Sequence, residues 1–345
     1  MLETVIFSLI KGLPFSIKKK LIDENKCPKK ALASLKKSLI GVSSKTGFKI
    51  LNQINSNSIL AKAEKIVQDC IENDIQIIPY WNGFYPKDLI HCIDAPFLIY
   101  MKGEKNPNNQ NLISIVGTRN CTDYGLKEVK RILKYLKPYP IGIVSGLAYG
   151  IDIYTHRTAN EFDIVNYAVL GSGINNIYPK KHLKESEKIM ENGMLISEYT
   201  PNEGPRTYHF PRRNRIIAGV SKCTIVIESK KTGGAMITGR LANDYSRDVF
   251  AVPGNNHQEY SSGSNLLIQR HQATILNHPE QIIEALNIKR VENKTTQIHN
   301  KKNLSEEEEL VLSIISKNNE MSINEIQIKS SLKTSFLNFV LTNLE

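Results

Sequence analysis

Apolar positions change their period along the chain. Over the first 72 residues they recur every three or four positions between lysines, the spacing of amphipathic helices. Within 61–74, Ala63, Ile66, Val67, Cys70 and Ile71 fall on one such stripe, and "SLIKGLPFSIKKKLIDE" reads as two short helices joined by a glycine turn. From residue 75 the pattern becomes short apolar runs: 75–79, 97–102, 112–117, 141–146, 164–171, 194–198, 223–229 and 248–254. Stretches suited to helices, such as 124–137, 148–160 and 235–246, separate most of them. This alternation predicts an α/β fold: an extended Rossmann-like, mainly parallel sheet with helices on both faces.

The expected organisation is a helical N-terminal appendage over 1–72, the Rossmann-like domain over 73–286, a polar linker over 287–303 and a partial winged-helix-like appendage over 304–345. In the last segment Ser322 and Glu325 match a capping box. Phe336, Leu337, Val340, Leu341 and Leu344 share one stripe. Three short helices in that order suggest a helix-turn-helix relative, with the sequence stopping at Glu345, where a winged helix would add its β-hairpin.

Composition excludes several classes. No apolar run reaches the ~18 residues of a membrane span, and the start lacks a basic leader, so a cytoplasmic protein with no membrane role is expected. Five scattered cysteines and eight histidines form no C-x-x-C pair and no H-E-x-x-H spacing, so no disulfide framework and no metal are expected. The net charge of +11 favours a polyanionic partner. A lysine-biased composition explains part of that excess, and the fewer, clustered arginines carry more information.

Several apolar runs end in glycine or small polar residues: Gly117-Thr118-Arg119, Ser145-Gly146 with Gly150 beyond, Gly171-Ser172-Gly173, and, past the run ending at Ser229, Gly233-Gly234. Such loops lead into helix N-termini, whose free amides and positive dipole end attract phosphate. No G-x-G-x-x-G fingerprint and no P-loop is present, which disfavours NAD and ATP and leaves no cofactor expected. Arg119, Arg212, Arg213 and Arg215 supply guanidinium forks that suit phosphate oxygens, with Asn214 between the last two on an expected loop. Arg213 or Arg215 has a structural alternative, pairing with Glu228 or Asp152. Asp152 and His156, at i and i+4, have the spacing of an acid/base dyad, but a structural hydrogen bond is the favoured reading. Phe210, Tyr149 and Tyr178 are candidates for base stacking.

The series "SIVGTRNCTDYG", "IVSGLAYGIDIYTH", "AVLGSGINNIYP", "LISEYTP", "HFPRRNRIIAGVSKCTIVIES", "TGGAMITGRLA" and "AVPG" with "SSGSNLLI" resembles the DNA-processing protein A (DprA, also Smf) family over about 75–285. The resemblance implies a non-enzymatic, single-stranded DNA-binding recombination mediator that helps load the strand-exchange recombinase in natural transformation. It also implies a homodimer formed through the Rossmann domain. Carried over by position, DNA phosphates would meet Arg119, the 145–150 loop with Leu147 and Ala148, Gly171 to Gly173, Arg213 and Arg215, with Lys180 a further candidate. Two departures stand out: Thr232 to Gly239 reads T-G-G-A-M-I-T-G, and His271-Gln272-Ala273 occupies a place where a small pair is usual. An alternative is a nucleoside-monophosphate phosphoribohydrolase of the lysine-decarboxylase-like Rossmann group. The segment from Thr232 superficially resembles its phosphate loop, but Leu241, Ala242 and Asn243 stand where its glutamate is needed.

Overall fold

The computed structural model describes residues 1–40, 44–290, 305–316 and 322–344. Residues 1–290 form one compact unit and 291–345 a second. The chain opens with α1 (Leu2–Leu9), α2 (Phe15–Asn25), α3 (Pro28–Leu39), α4 (Lys45–Asn55) and α5 (Asn57–Glu72). Gly12, at φ +81°, makes the expected turn between the first two, in a region of φ that other residues rarely enter. Pro28 sits in the first turn of α3, where its missing amide costs nothing, and Ser44 and Ser56 cap α4 and α5. On α5, Ala63, Ile66 and Cys70 are buried, whereas Ile71, expected on the same stripe, is 70% exposed.

The sheet follows: β1 (Gln76–Pro79), β2 (Leu98–Gly103), β3 (Asn111–Val116), α6 (Asp123–Leu136), β4 (Ile141–Ser145), α7 (Ile151–Glu161), β5 (Val165–Val169), α8 (Leu183–Glu191), β6 (Gly193–Ser197), α9 (His209–Val220), β7 (Cys223–Val226), α10 (Gly234–Asp244), β8 (Asp248–Ala251), α11 (Ser262–Gln269), β9 (Thr274–Ile275) and α12 (Glu280–Leu286). The eight expected strands are all present. The two-residue β9 is an addition too short to show a period. Strand order is β1-β2-β6-β5-β4-β3-β7-β8-β9. Among the described residues, only the β1–β2 and β2–β6 pairings are antiparallel.

Parallel strands need both faces covered, and β3 shows how. Ile113 and Ile115 pack with Val129, Ile132 and Ile151 of α6 and α7 on one face. Leu112 and Val116 join the larger core on the other, which also contains Phe7, Ile22, Leu35 and Ile66 of the N-terminal helices. From β3 the order runs through β4 and β5 in one direction and through β7 and β8 in the other. The crevice between the carboxyl ends of β3 and β7 is therefore the topological switch point, where open α/β sheets hold ligands.

The second unit contains α13 (Glu306–Ser316), α14 (Ile323–Ser330) and α15 (Thr334–Leu344) around Val311, Ile326, Leu337 and Val340. The capping box forms as expected: the Glu325 amide donates to Ser322 Oγ, and Ser322 N–H donates back to the Glu325 carboxylate at 2.8 Å. Phe336, expected on the buried stripe, is 43% exposed. Most of the expected linker, 291–303, lies outside the described residues.

Candidate nucleic-acid interface

The switch-point crevice is an open groove of about 560 Å³. Gly117, Thr118, Arg119 and Asn120 line it from the end of β3, and Ser229, Lys230, Gly233 and Gly234 from the end of β7. Phe210, Arg213 and Asn214 enter from α9, joined by Ala148, Tyr178 and Tyr260. The 117–120 loop is pinned at both sides. Thr118 N–H donates to Glu228 O at 2.7 Å, and Ile151 N–H donates to Thr118 O at 3.1 Å. Gly150 makes this possible: its φ is +76°, and a Cβ there would come within 2.3 Å of Thr118 O.

Arg119 is exposed and, among the described residues, has no carboxylate within ion-pair distance. Its guanidinium lies 5.7 Å from the centre of the Phe210 ring, and Tyr178 packs on that ring at 5.5 Å. A cation over an aromatic face keeps one plane of the fork engaged and its edge free for an anion. The helices α9 and α10 begin beside the groove with no side-chain cap, so their first amides add partial positive charge there. The start of α6 differs. The Glu228 carboxylate accepts from Thr122 N–H at 2.9 Å and Thr122 Oγ1 at 2.6 Å, so that helix end is filled by the protein itself.

The segment carrying Arg212, Arg213 and Arg215 is helical, not a loop, and turns of about 100° per residue send the three side chains different ways. Arg213 points inward. Its guanidinium donates to Gly146 O at 2.7 Å and to Val169 O, with Asn214 Oδ1 at 3.2 Å from Nε. Burial lowers its pKa to about 10, offset by the field of Asp152. It borders the groove, but its Nη1 is committed to two backbone carbonyls and its Nε to Asn214. Arg215 is buried against Glu198 at 2.5 Å and donates to Asp94 O at 2.6 Å. The carboxylate partners weighed as alternatives, Glu228 and Asp152, are not the ones it uses. Arg212 is exposed, 3.5 Å from Glu198, and does not line the groove.

The other glycine loops are likewise internally occupied. Ser145 is buried and donates to Ile115 O, and Gly146 sits under Arg213, whose guanidinium a Cβ would meet at 2.5 Å. The Asp152 carboxylate, which also lines the groove, is raised in pKa by burial, against the opposing field of Arg213 and the amides of Ala148 and Gly146. Leu147 N–H donates to His156 Nε2 at 3.3 Å, and His156 Nδ1 meets Asn166 Oδ1 at 2.7 Å, a structural role as expected. Burial lowers the His156 pKa to about 4. Gly171 lies under Phe210, Ser172 Oγ donates to Asn176 O, and Gly173 packs against the 200–201 backbone. Lys180 is exposed but outside the groove lining.

Of the sequence candidates, then, Gly117, Thr118, Arg119, Ala148, Phe210, Arg213, Asn214, Gly233 and Gly234 converge on one groove. Ser145, Gly146, Leu147, Gly150, Gly171, Ser172, Gly173, Lys180, Arg212 and Arg215 do not line it. Sequence reading missed Asn120, Lys230 and Tyr260. Asn120 Nδ2 donates to Tyr260 Oη at 3.0 Å, and Lys230 Nζ lies 5.0 Å from the Tyr260 ring centre. Lys230 carried a signal, a cation between an apolar run and a double glycine. Tyr260 carried none, because it arrives from the far side of β8.

The model of the family described as DNA recombination-mediator protein A matches residues 76–287. Protein Smf of Escherichia coli is 36% identical over 211 residues, which make up 61% of this chain and 56% of that protein. DNA processing protein DprA of Streptococcus pneumoniae is 40% identical over 185 residues, 54% of this chain and 65% of that one. The matches thus span little more than half to under two thirds of those two relatives. Among solved structures, S. pneumoniae DprA superposes with a TM-score of 0.72 at 28% identity, covering 82% of this chain and 97% of that one. DprA of Helicobacter pylori, described for its single-stranded DNA binding mode, gives 0.56 at 25% identity over 62% of this chain and 95% of that one. The chain belongs to the DNA recombination-mediator protein A family.

Proposed function

From that membership we propose that this chain binds single-stranded DNA in the switch-point groove and hands it to a strand-exchange recombinase, as in natural transformation, without altering the strand chemically. The observation that carries the reading is Arg119, an exposed guanidinium with no carboxylate partner among the described residues, held over Phe210 in a groove edged by uncapped helix ends. Phosphates would lie against Arg119 and the amides near Gly233 and Gly234. Bases would stack on Phe210, Tyr178 or Tyr260, which is sequence-tolerant because every base has a π face. His156 is held in buried structural bonds outside the groove lining, and Asp152, at the groove wall, is buried beside Arg213, which favours a binding protein over a hydrolase. The protein acts in the cytoplasm as a homodimer paired through the sheet-bearing unit.

Gel shifts of single-stranded DNA across salt test this. Affinity should fall with log salt at a slope of about −0.7 per phosphate contacted. Arg119→Ala should weaken all sequences about equally, because phosphates carry no sequence information. Salt-insensitive binding, or free base released from a nucleoside monophosphate, would overturn the proposal.

A further inference from the structure

The positive charge of this chain is segregated. Residues 1–72 hold thirteen lysines and six carboxylates, whereas the rest of the chain holds thirty-two cations and twenty-eight carboxylates. A general lysine bias would spread the excess evenly. Between residues 26 and 65 nine lysines face a single carboxylate, Glu64. Helix α3 is the centre of this excess: it contains no acid, and Lys29, Lys30, Lys36 and Lys37 are all exposed. The lysine ion pairs of this region are on α2, at Lys19 and Lys20, and among the described residues none involves α3.

Residues seven apart on a helix lie two turns apart on one face. Lys29 and Lys36 therefore line up, as do Lys30 and Lys37, each pair about 10 Å apart along the axis. Exposed Ala33 sits between them, so a chain can approach the helix closely there. The apolar side of α3 is committed inward, with Ala31 and Leu35 buried. It is not available for insertion into a lipid surface, which makes a nucleic-acid backbone the better fit than an anionic membrane.

The helical layer is anchored at the same end of the sheet as the groove. The α1 and α2 helices dock through Phe7 on Phe97, at 5.4 Å between ring centres, and Phe15 on Tyr80 at 5.5 Å. Tyr80 follows β1 and Phe97 precedes the antiparallel β2, so both stand at the end of the sheet that carries the groove, with β6, β5 and β4 between β2 and β3. Helix α3 packs on α1 and α2.

We propose that the lysine face of α3 is a second, sequence-independent phosphate-binding surface, engaged by nucleic-acid strands too long to be held by the groove alone. The choice of nucleic acid as partner rests on the function proposed above, whereas the charge segregation does not. The test compares the full chain with a variant carrying Lys29→Ala, Lys30→Ala, Lys36→Ala and Lys37→Ala. Alanine is the best helix former and these positions are exposed, so the fold should survive. Binding is read by fluorescence anisotropy across salt, using oligonucleotides of about 6 and about 40 nucleotides, the shorter near the lower end of single-strand site sizes.

The longer strand should bind roughly tenfold more weakly or worse at low salt, its salt slope falling by about 0.7 for each phosphate no longer neutralised, while the shorter strand is unaffected. A second variant with arginine at all four positions should keep wild-type binding. Unchanged affinity and slope for the longer strand would overturn the inference. So would lysine-dependent binding of phosphatidylserine vesicles with no effect on DNA. Arg119→Ala separates the two proposals, since it should weaken both lengths. If it weakens neither while the α3 variant weakens the longer strand, the groove reading fails and the lysine face stands.

Discussion

Two stretches of the same sheet edge carry similar glycine-rich loops and end differently. Around β3 and β7 the edge is an open groove, with Arg119 exposed and two helix ends uncapped. Around β4 and β5 the equivalent space is filled by the protein's own groups: Arg213 on the Gly146 and Val169 carbonyls and Phe210 over Gly171, with Asp152 at the boundary between this half and the groove. The filled half makes the open half usable. Arg213 fixes α9 against two strand ends, and α9 in turn presents Phe210 to Arg119. A rigid frame around the groove lowers the ordering cost of binding.

The comparison breaks most visibly at the two arginines. Arg213→Ala removes a buried cation from two carbonyls and from the field of Asp152, which should cost about 3–5 kcal/mol in denaturant unfolding. Arg119→Ala, in the open half, should change stability by about 0.5 kcal/mol or less. Equal losses in the two variants would mean that the halves do not differ as described.

A pH profile sharpens the same contrast. Burial holds His156 near pKa 4, below the 6.5 of an unfolded histidine. Below 6.5 the unfolded chain binds that proton more readily, so the contribution of His156 is complete above 6.5 and is lost as pH falls toward 4. The loss should be about 3 kcal/mol. Asp152, raised in pKa by burial, acts in the opposite sense as pH falls. An Asp152→Asn background therefore isolates the histidine. Unfolding midpoints that stay flat in that background would remove His156 from the account.

The smallest effect concerns Glu228, the internal anion at the start of α6. Glu228→Gln should cost about 1 kcal/mol by removing a charge from the helix N-terminus. The loss should shrink in high salt as the dipole is screened. An equal loss at all salt concentrations would point to the hydrogen bonds to Thr122, not to charge.

The α/β class, the strands and the glycine-rich sheet edge were all legible from the chain, because a strand buried on both faces must be apolar along its length and a helix must bury one stripe. The Ser322–Glu325 box was legible for a similar reason, since capping is decided within four residues. Which arginine faces water was not. Arg119, Arg213 and Arg215 are chemically identical, and their fates depend on groups distant in the chain: Gly146, Val169, Glu198 and Asp94. Tyr260 reached the groove for the same reason. The sequence alone determined what could be buried and where glycine-rich loops would gather. Only the packing of α9 across the strand ends decided which of those loops the protein would occupy itself, because a buried cation must be matched by acceptors that no local pattern supplies.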